Sequence, residues 1–111
     1  MTERRSKYNA KPVEFDGIRF DSTAEYHRWQ ELKLLERNGD IENLEVHPRF
    51  CIHPGDKSRR IKPIWYEADF KYMENGVWVV EDVKGIRTAV FDLKWKIAQC
   101  NYPDIDWRII K

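Results

Sequence analysis

Apolar and polar residues alternate in two short runs, VEF and IRF, on either side of Asp16-Gly17. A period of two reads as strand, and Asp-Gly between two such runs signals a tight hairpin. The rhythm then lengthens. In DSTAEYHRWQELKLLERNGD, Glu25, Trp29 and Leu32 recur at i, i+4 and i+7, flanked by Ala24 and Leu35. That spacing predicts a helix with one core-facing side. Ser22 caps it, Thr23 starts it, and Asn38-Gly39 ends it. NLEVHPRFCI returns to a strand pattern, bent at Pro48. HPGDKSRR is a basic loop. IKPIWYEADFKYM predicts a strand, Asn75-Gly76 a tight turn, and VWVVEDVK the antiparallel partner. Gly85 breaks that run. TAVFDLKWKIAQCN predicts a second helix that Pro103 stops, and IDWRII a last strand. After the hairpin the order is α, β, β, β, α, β. The expected fold is therefore α/β, a central mixed sheet flanked by two helices with an N-terminal β-hairpin.

A length of 111 residues bounds the chain to one domain, residues 12–111, behind a flexible basic arm, residues 1–11, that carries Arg4, Arg5 and Lys7. No room is left for a separate recognition domain. Any partner must meet the surface that carries the chemistry. Twenty Lys and Arg against 19 Asp and Glu leave a net charge of +1. A chain so nearly neutral holds nucleic acid only if its cations gather on one face and its acids elsewhere. MTERRSKYNAKP has no apolar core, so no signal peptide is expected, and no stretch approaches membrane-spanning length. Cys51 and Cys100 stand alone, which points to reduced thiols in a cytoplasmic setting and excludes a zinc site by spacing.

The chemistry gathers around VVEDVKG, Val79 to Gly85. Strand alternation puts Trp78, Val80, Asp82 and Lys84 on one face and Val77, Val79, Glu81 and Val83 on the other. Counting back from the turn at Asn75-Gly76 brings Asp69, on the preceding strand, within reach of Asp82. Two neighbouring carboxylates repel and resist desolvation. A divalent cation between them reverses that balance, and oxygen ligands on rigid strands suit Mg2+ or Mn2+. The bland alternative for Asp82 and Lys84 is an exposed ion pair at a strand end. Glu25 also has two readings. It completes a capping box by reaching back to the Ser22 amide, and it lies on the core-facing stripe, where a carboxylate needs a cation or a proton.

Tyr66-Glu67-Ala68-Asp69-Phe70, then Glu81-Asp82-Val83-Lys84-Gly85, with Ser22-x-x-Glu25 on an earlier helix, resembles the PD-(D/E)xK nuclease superfamily. The order of elements matches its restriction-endonuclease-like αβββαβ core. From Tyr8-Asn9-Ala10-Lys11 onward the chain looks like the small phage- and prophage-encoded branch, a domain of unknown function. One departure is Ala68, which stands where the signature has proline, at a position that is loose in the superfamily. The resemblance implies a Mg-dependent endodeoxyribonuclease that hydrolyses phosphodiester bonds in phage DNA replication or recombination, in the cytoplasm of a bacterial host. Resolution of branched DNA, as by Holliday-junction resolvases, is one version and implies a homodimer. Asp69, Asp82 and Glu25 would hold the metal. Lys84 would sit beside the attacking water or the scissile phosphate, completing the catalytic set. Gly85 would let the backbone bend away from the substrate. The alternative is a nucleic-acid-binding module that keeps the fold without turnover.

Other residues carry weaker signals. Glu81 rivals Asp82 but points to the opposite face. His47 can touch the site or serve as a structural hydrogen-bonder. Lys57, Arg59, Arg60 and Lys62 form the densest basic cluster, and with Arg87, Lys94 and Lys96 they are the candidate DNA contacts; the plain alternative is solvated surface. Trp65, Trp78, Trp95 and Trp107 are expected in the core rather than as base-stacking platforms.

Overall fold

The structure is a computed structural model that describes residues 11–111. The basic arm, with Arg4, Arg5 and Lys7, lies almost wholly outside the described residues. Val13–Phe15 (β1) and Ile18–Phe20 (β2) form the expected hairpin. Asp16 and Gly17 both take positive φ, as a two-residue turn matched to strand twist requires. The first helix, α1, runs Thr23–Arg37, and the Ser22 hydroxyl accepts from the Glu25 amide.

The two long strands expected after α1 are each divided. NLEVHPRFCI becomes Glu42–Val46 (β3) and Arg49–His53 (β4), and the run from Ile61 to Met73 yields Ile64–Glu67 (β5) and Phe70–Glu74 (β6). The breaks face each other across a crease. There the His47 amide donates to the Asp69 carbonyl at 2.9 Å and the Ala68 amide to the Pro48 carbonyl at 3.0 Å. Pro48 has no N–H for a ladder, and His47 takes φ 57, so the chain turns sharply. Beyond the crease β4 and β5 pair as a separate two-stranded ribbon.

On the near side, β3 and β6 join Val77–Val83 (β7) and Asp106–Ile110 (β8) in a four-stranded sheet, order β3-β6-β7-β8. Asn75 and Gly76, at φ 50 and 78, make the β6–β7 turn. The β7–β8 pair is parallel, and the second helix, α2 (Ala89–Asn101), makes the crossover. The fold is thus α/β with a mixed central sheet, two helices and an N-terminal hairpin.

Alternation along β7 feeds two cores. Val79 packs with Phe20, Trp29, Leu32, Phe70 and Tyr72 on the α1 side. Val80 packs with Phe50, Tyr66, Phe91 and Trp95 on the α2 side. Each large side chain buried this way contributes about 1.5–3 kcal/mol. Of the four tryptophans expected inside, Trp95 is buried and Trp107 packs against it at 5.4 Å. Trp78 is only half-buried, beneath the Lys71 ammonium. Trp65 is 43% exposed, which corrects its placement: it lies on the outward side of the narrow ribbon, where no helix covers it. Both cysteines are free. Among the described residues no helix is long and apolar enough to cross a membrane.

Candidate active site

The crease brings the ribbon, the sheet and α1 together, and the candidate acids collect there. Asp69 follows the break itself. It is buried, and its Oδ2 accepts from the Val83 amide at 2.6 Å. Asp82 projects from β7 toward the α2 side, as alternation requires, and is 1% exposed. The Tyr66 hydroxyl, from the ribbon, donates to its Oδ2. Lys84 Nζ lies 3.0 Å from Asp82 Oδ1, yet Oδ1 is buried without an aligned hydrogen bond. The ammonium therefore offsets the charge of Oδ1 without satisfying its geometry. Asp82 and Lys84 are no exposed pair at a strand end.

Glu25 arrives from the first turn of α1, 2% exposed. The capping interaction differs from the expected one: its Oε2 accepts from the Asp21 amide at 3.2 Å rather than from Ser22. The other oxygen, Oε1, lies 2.8 Å from His47 Nε2. His47 thus fastens Glu25 to the crease.

The electrostatics follow from this crowding. Burial, then the Asp82 charge, then Glu25, push the Asp69 carboxyl up to about 9; the Val83 amide and Lys84 pull the other way. Burial opposes the Lys84 charge, but Asp82 first, then Asp69 and Glu25, outweigh it and hold the ammonium above its ordinary value. His47 is raised chiefly by its hydrogen bond to Glu25, against the pull of burial. Burial, helped by the Asp82 charge, raises the Tyr66 hydroxyl far out of the physiological range, so it stays a donor.

Glu81 goes to the opposite face and is consumed there. Arg28 Nε and Nη2 reach its two oxygens at 2.7 and 2.6 Å, and the Tyr72 hydroxyl donates as well. Arg108 extends the network to Tyr72, Glu74 and Asp106. Sequence reasoning missed Arg28, Tyr66 and Tyr72. Arg28 was within reach of it, since it stands three residues after Glu25 and so on the adjoining stripe of α1.

The basic residues are spread more widely. Lys57–Arg59 form a 3-10 turn at the ribbon's tip, and Lys57, Arg59, Arg60 and Lys62 are all exposed. Arg87 pairs with Asp92 at 2.8 Å, Lys94 donates to the Trp65 carbonyl at 2.9 Å, and Lys96 is exposed. A cleft of about 420 Å³ opens beside the site, lined by Arg19, Asp21, His47 and Glu67 among others, and not by the tip cluster. Gly85 is not forced by the fold, since a Cβ there would meet nothing within 4 Å.

The donor set bears on a divalent cation in two ways. Among the described residues no three His, Cys, Asp or Glu side chains stand close enough together to form a metal cage. The unsatisfied Asp82 Oδ1, with Asp69 and Glu25 near it, instead fits a hard cation held by one or two carboxylates with water completing its shell, as Mg2+ prefers. No curated protein and no solved structure matches the chain. A family model described as "Protein of unknown function (DUF1064)" matches residues 5–111, nearly the whole length, and the chain belongs to that family.

Proposed function

We propose that this chain is a metal-dependent DNA endonuclease of the PD-(D/E)xK kind, with Asp69, Asp82, Glu25 and Lys84 as its working residues. The observation that carries this reading is the buried Asp82 Oδ1, left without an aligned hydrogen bond beside Lys84 and a second crowded carboxyl. A structural ion pair gains nothing from a buried oxygen whose hydrogen bonding is incomplete, whereas a cation-binding carboxylate can use that oxygen as a ligand. Mg2+ held by Asp69 and Asp82, with Glu25 reaching it through water, would supply charge neutralisation and water activation.

The chain's own residues do the rest. Tyr66 fixes the orientation of Asp82, and His47 fixes that of Glu25. Lys84, held charged by its three acids, donates to the scissile phosphate as negative charge builds on it. In the reaction a water oxygen bonds to phosphorus and gives up a proton to solvent, the bond from phosphorus to one sugar oxygen breaks, and that oxygen leaves with a proton from solvent. The restriction-endonuclease-like core, a phage setting and a homodimer belong to the same proposal.

The test is cleavage of supercoiled, single-stranded, forked and four-way DNA by purified protein, with and without Mg2+. Cleavage that needs Mg2+ and vanishes in Asp82→Asn supports the reading. Mg-independent binding with no cleavage of any substrate replaces it with a binding module.

A further inference from the structure

The ribbon presents a surface that the chemistry at the crease does not use. On β4 and β5, Phe50 and Tyr66 point into the core under α2, so alternation turns Arg49 and Trp65 outward. There the Arg49 guanidinium sits over the Trp65 ring, 4.7 Å from its centroid. Even so, Trp65 remains 43% exposed. From Arg49 to Glu67 the ribbon carries five Lys and Arg against two acids. One of those acids, Asp56, is folded onto its own loop, accepting from the Ser58 hydroxyl at 2.6 Å and the Arg59 amide.

We propose that Trp65, steadied by Arg49, is a stacking platform for an unpaired DNA base, and that the exposed cations around it track the adjoining phosphates. This rests on the nuclease reading for its choice of nucleic acid, and it narrows the substrate to single-stranded or branched DNA. A flat aromatic face among cations suits a base and its phosphate together. In a closed duplex the base faces are covered by their neighbours, and phosphate contacts alone would not call for the ring. An acidic protein partner would use the cations, but only a nucleic-acid strand brings a flat π-face and a negative charge together at every residue.

The ribbon is also tied to the site. Tyr66, next in sequence, holds Asp82, and Lys94 on α2 holds the Trp65 carbonyl. The strand that carries the platform therefore also carries the residue that orients Asp82.

The experiment is fluorescence anisotropy in EDTA with three labelled oligonucleotides: a single strand of about a dozen nucleotides, the blunt duplex of the same sequence, and a single strand with abasic sites. No turnover occurs in EDTA, so a failure of catalysis leaves this comparison intact. Trp65→Ala should weaken single-strand binding about tenfold or more while changing duplex binding less than about twofold. Trp65→Phe should recover most of the loss, which separates stacking from folding. The abasic strand should bind wild type and Trp65→Ala alike. Equal losses on single strand and duplex, an undiminished single-strand affinity, or no DNA binding by the wild type would each overturn the platform. If Trp65→Ala binds as the wild type does and cleavage persists in Mg2+, the platform fails and the nuclease reading stands.

Discussion

Asp69→Asn separates the cost of the site from its use. In the metal-free fold, burial and the Asp82 and Glu25 charges raise the Asp69 carboxyl from 3.8 to about 9. The folded chain therefore binds one more proton than the unfolded chain between those two values. Wild-type stability must fall as pH rises through that window, and the loss is complete above pH 9. At pH 7 the gap above 3.8 is about three pH units, at about 1.4 kcal/mol each, so the upper limit is about 4 kcal/mol. Relaxation of the site and entry of water bring the expected penalty to about 1–3 kcal/mol. Asparagine keeps an oxygen for the Val83 amide and carries no charge.

Urea denaturation in EDTA across pH 4.5–8.5 reads the difference directly. Asp69→Asn should be nearly as stable as wild type near pH 4.5 and increasingly more stable above it. Added Mg2+ should stabilise the wild type by about 2.7 kcal/mol at a hundredfold excess over its Kd, and the variant far less. A stability difference that stays constant with pH, or a variant less stable at pH 8, would refute the crowding of Asp69. In that case the acids at the crease would be solvated surface groups.

Four further perturbations probe other parts. Lys84→Ala should abolish cleavage yet keep the Mg-dependent rise in melting temperature, because the ammonium is assigned to the phosphate; loss of both would place Lys84 in the cation site. Arg28→Ala strands the fully buried Glu81 carboxylate with Tyr72 alone and should destabilise by about 3–5 kcal/mol; a drop under about 1 kcal/mol in denaturation would show that the pair does not hold α1 to the sheet. Gly55→Ala forces a Cβ to within 2.3 Å of the Ile61 carbonyl oxygen at φ 75, so the ribbon should show faster amide exchange, and Arg59→Ala with Arg60→Ala should flatten the salt dependence of DNA binding by about two units of slope.

What could be read in the sequence was whatever is local. Both hairpin turns, the Ser22 and Asn38-Gly39 ends of α1 and the alternation that sends Glu81 and Asp82 to opposite faces are set by neighbouring residues and stand as expected. The crease was half visible. Pro48 announces a bend, but Ala68-Asp69, with neither proline nor glycine, breaks only because it pairs across from His47 and Pro48. Trp65 was misplaced for a related reason. Its hydrophobicity says core, while its exposure depends on the ribbon having one uncovered side, which is a property of layers rather than of sequence. The partners of the acids were the least legible, because Tyr66 and His47 reach them only through the crease.

The two adjacent acids of β7 show why burial alone does not mark a functional carboxylate. Glu81 is 0% exposed and Asp82 1%, so desolvation is equally severe for both. They differ in what surrounds them. Glu81 meets a guanidinium whose two N–H groups match its two oxygens, with a phenol beside them. Its charge and its lone pairs are served by geometry that needs no further ligand. Asp82 meets a phenol on one oxygen and a flexible ammonium near the other, and it shares its surroundings with Asp69 and Glu25. Three acids stand around Lys84 and the half-buried His47, and their crowding is relieved at neutral pH only because Asp69, pushed up to about 9, keeps a proton. A fold selected only for stability would be expected to replace one of those acids with a neutral residue, as Asp69→Asn tests. That proton is what an external cation would displace, and the tightly matched pair behind it holds α1, and with it Glu25, against the sheet.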